Sequence, residues 1–274
     1  MKSRLLAALA LALLTVSCTG ILPVMSFNVR YGTAQDSDNV WPKRRDAACA
    51  MIRDQHPAVF GVQEALDFQL EYFNEHCPGY EYVGVGREDG VSEGEHMAVF
   101  YDTDRIELLE WGTYWLSDTP DIPSTGWDAA CRRTATWTLM RDKAAKRKFY
   151  FVNTHLDHVG KEARRRGLLL IVERIKAMNP EGWPMVLTGD MNVYPDDPCL
   201  KELRELMADA RESAPVTDKD QTYHDWGKVS SNPPIDYVFY AGFKGCKEFS
   251  VIRQSYEGVP YVSDHYPVKA TLRY

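Results

Sequence analysis

The sequence has no Cys-X-X-Cys, no Cys/His zinc spacing and no His-Glu-X-X-His. These absences argue against structural zinc modules and against a zinc-dependent exported hydrolase. No apolar run is long enough to cross a bilayer, which takes roughly 20 residues; the longest is Leu5 to Val16. There is no internal repeat, no low-complexity block and no linker-like stretch. An excess of positive charge is missing too. The net charge is −7, so loose, charge-driven binding of nucleic acid is disfavoured. A nuclease with a locally basic cleft stays open. Lys146-Arg147-Lys148 reads as a solvated hairpin turn, and Arg164-Arg165-Arg166 as partly a helix face.

What is there begins with a leader. Lys2 and Arg4 precede the apolar run, which has the length of a signal-peptide core. Ser17-Cys18 follows at once. Two processing routes fit: a lipoprotein leader over 1–17 with Cys18 as the lipidated first residue, or plain cleavage after Ser17. Either removes two basic residues and no acid, taking the charge from −7 to −9. Either also implies export, to the periplasm, the outer membrane or the medium. Cysteines stand at 18, 49, 77, 131, 199 and 246, an odd number once Cys18 is set aside. Export permits disulfides, but the sequence does not pair them. Cys49, in an apolar helix stripe, reads as a buried thiol.

The remaining chain, 22–274, reads as one domain; 274 residues with 45% apolar content can bury a large core. Periodicity predicts strands over 23–29, 58–63, 80–85, 97–101, 105–110, 134–140, 149–154, 185–188, 235–240, 248–253 and 268–273. It predicts helices over 41–54, 66–75, 162–178 and 197–207. Strands outnumber helices, and helices separate groups of strands. The expected class is α/β: two mixed sheets packed face to face with helices outside, a four-layer sandwich. The long irregular stretch 115–131 has the length of a functional loop.

Polar residues able to bind a metal or move a proton fall just after short strand-like runs, in an ordered series. They are Phe27-Asn28-Val29-Arg30, Gln63-Glu64, Asn153-Thr154-His155-Leu156-Asp157, Gly189-Asp190-Met191-Asn192 and Ser263-Asp264-His265-Tyr266-Pro267. A site assembled from several strand ends follows, with the chemistry of metal-assisted phosphate ester hydrolysis. A hard divalent ion takes carboxylate oxygen, as Glu64 offers. An unpaired carboxylate after a buried strand, Asp190, is costly without a metal or a water to activate. Asp264-His265 is an adjacent acid–imidazole pair in which the acid could orient the ring, provided the backbone bends there. Taken singly, each motif reads equally well as a surface acid, a turn asparagine or a polar turn.

As a series, these motifs resemble the endonuclease/exonuclease/phosphatase superfamily, which includes pancreatic-type DNases, abasic-site endonucleases, inositol polyphosphate 5-phosphatases, neutral sphingomyelinases and deadenylases. The opening Phe27-Asn28-Val29-Arg30-Tyr31-Gly32, with Trp41 and Arg44, is most similar to the deadenylase-related bacterial branch. The resemblance implies the DNase I-like fold and a Mg²⁺-dependent phosphoesterase, with Mn²⁺ or Ca²⁺ as alternative ions. It implies Glu64 as principal metal ligand with Asn28 and Asp264 beside it. Asp190, Asn192, Asp264, His265 and His155 become the catalytic group, and Asn28, Arg133, His155 and Asn192 the phosphate contacts. Glu95 is implied as a partner of His155, Asp236 as part of the surrounding network and Asp157 as a further support. Trp127, with Asp128, is a candidate wall for the group beyond the phosphate, and Arg164 a candidate second contact. Two departures stand out: Arg132 where relatives often have proline, and Pro234 where they often have arginine. Substrate class stays open among RNA or DNA, lipid headgroups, phosphorylated glycans and small phosphorylated molecules. A binding protein that kept the fold but lost the chemistry would need Glu64, Asp190 or His265 replaced, and none is.

Overall fold

The computed structural model describes residues 20–274; the leader and Cys18 readings lie outside the described residues. The first half of the chain forms β1 (Ile21–Asn28), α1 (Trp41–Gln55), β2 (Val59–Gln63), α2 (Asp67–His76), β3 (Tyr80–Val83), β4 (Val99–Asp102), β5 (Ile106–Trp115) and β6 (Thr134–Asp142). The second half forms β7 (Arg147–His155), α3 (Lys161–Met178), β8 (Met185–Asp190), α4 (Lys201–Leu206), β9 (Ala208–Asp209), α5 (Ala210–Ser213), β10 (Val216–Thr217), β11 (Asp236–Ala241), β12 (Gly245–Val251) and β13 (Val268–Arg273).

One sheet has the order β10-β12-β13-β1-β2-β4-β3, the other β5-β6-β7-β8-β11-β9. Each is mixed: β1 runs parallel to β2 and antiparallel to β13, and β7 runs parallel to β8 and antiparallel to β6. Val24, Val59, Phe149, Phe151, Val186 and Val238 pack in the layer between the sheets. Helices α1 and α2 cover the outer face of the first sheet, over Met25, Phe27, Phe60 and Phe100. Helices α3 and α4 cover the second, over Val152, Leu187 and Phe239. This is the expected four-layer sandwich.

Local chemistry explains the element ends. Helix α1 buries Ala47, Ala48, Met51 and Ile52 along one face, and His56 stops it in the left-handed region at φ 43°, just before Pro57. Two expectations need correction. Strand β5 runs on to Trp115 because a bulge between Leu108 and Glu110 resets its alternation. The helix expected over 197–207 is instead a 3₁₀ turn, Pro198–Leu200, followed by the short α4, because Asp197 accepts from the Cys199 N–H and starts the turn at Pro198.

The two-residue period of the strands positions the site. On the inter-sheet face, β1 carries Leu22 and Val24, then Ser26 and Asn28; β7 carries Phe149 and Phe151, then Asn153 and His155; β8 carries Val186, then Thr188 and Asp190. One end of each strand builds apolar core and the other delivers polar groups to a single edge of the sandwich. Pairing aligns them: His155 stands opposite Asp190, and Asp190 opposite Asp236. Just beneath, the Asn153 amide bridges the sheets. It donates to the Val62 and Ala98 carbonyls (2.7 and 3.0 Å) and accepts from Gln63 (2.7 Å). Gly61 makes room, since a Cβ there would collide with the Asn153 side chain.

Candidate active site

The strand ends open into a cavity of about 550 Å³. Asn28, at the end of β1, donates from Nδ2 to Glu64 Oε1 (2.9 Å) and Asp190 Oδ2 (3.1 Å). Glu64 follows β2 at φ 62°, a left-handed conformation costly for a side-chain-bearing residue, and its Oε2 accepts from the Tyr31 N–H (2.9 Å). Asn192, at φ 50°, makes a similar turn after β8. Its N–H donates to Asp190 Oδ1 (3.0 Å), and its Nδ2 lies 2.9 Å from His155 Nε2 and 3.0 Å from the Leu156 carbonyl. His155 Nε2 is 3.5 Å from Asp190 Oδ2, while its Nδ1 faces Glu95 at 4.0 Å. Glu95 in turn accepts from Arg87 (2.7 Å).

The partner of His265 corrects the sequence reading. The backbone bends at 262–264, as required, but the two neighbouring side chains do not pair. His265 Nδ1 meets Asp236 Oδ2 at 2.9 Å, and its Nε2 lies 3.8 Å from Asp190. Asp264 points instead towards Arg30 (3.5 Å) and Glu64. The bend holds because Arg44, 1% exposed, donates to the carbonyls of Val29 (2.6 Å), Val262 (2.9 Å) and Asn39 (3.0 Å), clasping the segments around Asn28 and Asp264.

Electrostatics separate the two imidazoles. Burial, with Arg133 and His265 nearby, pushes His155 well below the usual histidine range, so its ring is neutral. Burial opposes charge on His265 as well, but Asp236, Asp190 and Asp264 outweigh it and lift the ring to about 10. Burial and the Asp236 charge raise Asp190 to about 7. Both raised values carry the same sign for stability. Asp190 favours the fold below pH 3.8, and that contribution is lost as pH rises towards 7; the His265 contribution is full below 6.5 and lost towards 10. Above the range in which neutral His155 opposes this trend, the metal-free protein therefore melts at progressively lower temperature from pH 7 to 9. Thermal scans in chelator measure this, and a flat profile in that window contradicts it.

Glu64, His155 and Asp190 each bring a ligand atom within 4.8 Å of the others, and Asp190, Asp236 and His265 do likewise. Burial and the Glu64 charge also raise Asp264. A cluster of largely buried carboxylates that includes Glu64, Asp190 and Asp264 suits a divalent cation with oxygen ligands. A third grouping, Cys131 with Asp157 and His158, does not. Burial works against ionising Asp157, yet the N–H groups of Gly160, Val159 and Ala130, with Arg133, hold its carboxyl at about 2. Its oxygens are committed to tying that loop to Arg133 Nε (3.5 Å). Arg133 Nη2 lies 3.0 Å from His158, while its buried Nη1 has no partner in a side chain that lines the cavity.

The match to known proteins runs the length of this architecture. The family model "Endonuclease/Exonuclease/phosphatase family" matches residues 25–265. The chain belongs to that family. A mannosyl-6-phosphatase of Bacteroides thetaiotaomicron is 34% identical, with a TM-score of 0.89 over 92% of this chain and 100% of its own. A family member from Bacteroides vulgatus is 38% identical, with a TM-score of 0.86 over 92% and 98%. An uncharacterised protein of Acanthamoeba polyphaga mimivirus is 27% identical over 90% of this chain and 98% of its own. The family's members are metal-dependent phosphoester hydrolases, and the chain is an enzyme of that class.

Of the residues the sequence nominated, Glu64, Glu95, Arg133, His155, Asp190, Asn192, Asp264 and His265 line the cavity, Asn28 lies beneath it, and Asp157 and Asp236 brace it. Trp127 does not belong. It sits over a separate depression with Arg165 and Arg166, its indole N–H bonded to Asp118, while Asp128 caps α3 through the Ala163 N–H (2.6 Å). The middle of the 115–131 stretch thus packs on α3, while its end brings Cys131 to the cavity wall, and Trp127→Ala leaves kcat/KM within about twofold in a steady-state assay. Arg164 bonds the Asp157 carbonyl (2.9 Å) and lines an adjoining hollow. Arg87 and Tyr223 line the cavity without having been nominated. Both are loop residues outside any strand-end pattern, and no local signal marks them.

Proposed function

We propose that the protein is an exported, Mg²⁺-dependent phosphatase that removes a phosphate monoester from a sugar. The observation carrying this is the cavity itself. It is lined by Glu64, Asp190 and Asp264 and also by Arg30, Arg87 and Arg133, and its volume of about 550 Å³ takes a phosphoryl group with a small organic substituent. The near full-length likeness to a mannosyl-6-phosphatase supports the sugar monoester. Glu64 is the principal ligand in this reading, with Asn28 and Asp264 beside it. When bound, Mg²⁺ supplies Lewis-acid polarisation of the phosphoryl oxygen and charge relief for the departing one.

The chain's own residues do the rest. Asp190 and Asn192 hold the attacking water, and Asp190, poised near neutrality, takes its proton. His265, kept cationic by Asp236, and the free Nη1 of Arg133 hold the phosphoryl charge. Neutral His155 accepts from Asn192 and fixes its amide. No covalent intermediate is required.

Phosphate release from mannose 6-phosphate and other sugar phosphates, beside bis-p-nitrophenyl phosphate, oligo(A) and single-stranded DNA, each with Mg²⁺ or chelator, tests this. Mg²⁺-dependent release from a sugar monoester at least about tenfold faster than diester cleavage is expected. Cleavage of oligonucleotides with none of sugar phosphates would overturn it in favour of a nuclease. The export half rests on residues 1–18. Fractionation with labelled fatty acid should place the label on the wild type and not on Cys18→Ala; a cytoplasmic, unlabelled product sinks it.

A further inference from the structure

Cys49 lies on the buried face of α1, and Cys77 closes α2 at its C-cap. They are 1% and 0% exposed, in the apolar layer between these helices and the first sheet. The two helices are anchored to each other on both sides of the pair. On one side the Tyr72 hydroxyl donates to Asp46, and Arg45 lies over the Tyr72 ring at 4.5 Å. On the other, Arg53 donates to the His76 carbonyl at 3.0 Å. Cys49 is about one turn from each anchor, which sets its side chain opposite Cys77. Both are free thiols in the structure, and the neighbouring Cys77, with burial, pushes the Cys49 thiol up. The other cysteines among the described residues are elsewhere: Cys131 on the cavity wall, Cys199 against the α3–α4 layer and Cys246 between the sheets.

We propose that Cys49 and Cys77 are joined by a disulfide in the mature protein, with Cys131, Cys199 and Cys246 left as thiols. The proposal rests on the export reading for its oxidant, a disulfide-bearing thiol oxidase of the exported compartment. One thiolate attacks the oxidant's disulfide, releasing one of its sulfurs as a thiolate, and the second attacks the resulting mixed disulfide and displaces the oxidant's other sulfur as a thiolate. The pair loses two protons and two electrons as the S–S bond forms, and the oxidant's disulfide becomes two thiols. Both sulfurs are sealed in the folded protein, so the bond forms during folding, before α1 and α2 close, and is afterwards shielded from reductant. Its reach extends to the site. Helix α1 carries Arg44, and α2 begins just after Glu64 and sends Gln69 to the Arg30 carbonyl (3.1 Å). The bond pins together the two helices that back Asn28 and Glu64.

The test is a non-reducing peptide map of the full chain, purified after expression with its leader and denatured in a thiol-alkylating reagent. The expected result is one linked pair of peptides carrying Cys49 and Cys77, two hydrogens lighter than the free pair, and alkylation at 131, 199 and 246. A second sample is unfolded, reduced and refolded in oxidised and reduced glutathione. Free thiols in the first sample with the 49–77 link in the second would mean that export fails while the pairing stands. Free or scrambled thiols in both overturn the pairing. Refolding under reductant should also lower the wild-type melting temperature by roughly 5–10 °C and leave a Cys49→Ala/Cys77→Ala double variant unmoved.

Discussion

Asp190→Asn should lower kcat/KM on a phosphate monoester by roughly 10³-fold while leaving the metal-free melting temperature within a few degrees of wild type. The carboxylate is 2% exposed, and it is the residue where the two halves of the cavity meet. It accepts from Asn28 and from the Asn192 N–H, and lies 3.5 Å from His155 and 3.8 Å from His265. Burial and Asp236 hold it near pH 7, where a base is most useful. An amide keeps the shape and the acceptor for Asn192 but cannot take a proton. It also relieves the fold of a buried charge facing another, so no large loss of stability offsets the reading. Steady-state kinetics beside thermal scans measure both halves. A variant retaining more than about a tenth of wild-type activity would remove Asp190 from the proton-transfer role.

The second large effect belongs to the His265–Asp236 pair. His265→Ala should cost roughly 10²–10⁴-fold in kcat, Asp236→Asn nearly as much, and the double variant little more than the worse single one. The reason is that Asp236 acts through the ring. Its carboxylate, 2.9 Å away, contributes most among the acids that keep the imidazolium charged to about pH 10. Removing it frees a buried ring to drop its proton, because burial alone favours the neutral form. The alkaline limb of the Asp236→Asn pH–rate profile should therefore move acidwards, which a purely structural role for Asp236 would not produce. Multiplicative losses in the double variant would instead mean that the two side chains work independently.

The sequence signals that held were the local ones. The alternating runs around Val24, Phe151 and Val186 mark strands whose apolar ends form the core, and the same alternation delivers His155 and Asp190 to the cavity and Asn28 to the layer just beneath it. The 134–154 hairpin is visible from its charged turn. What stayed hidden was which side chain meets which. Asp264 and His265 are neighbours in the chain, but the backbone bend turns them apart. The true partner of the ring, Asp236, reaches it through antiparallel pairing of β11 with β8. No periodicity carries that register. The same limit hid the Cys49–Cys77 meeting, which depends on how α1 and α2 pack, and it made Trp127 look like a cavity wall when its loop folds back on α3.

The Asn153 amide, wedged between the sheets below the cavity, has a consequence for how the enzyme fails on heating. Asn28 and Glu64 come from one sheet, and His155, Asp190 and Asp236 from the other. The cavity is the seam between two slabs, and its dimensions are set by how closely they sit. A slip of a fraction of an ångström between the slabs would leave every strand intact while parting Asn28 from Asp190. Catalysis is then the most sensitive gauge of that docking, and heat inactivation should run ahead of the loss of β-sheet signal.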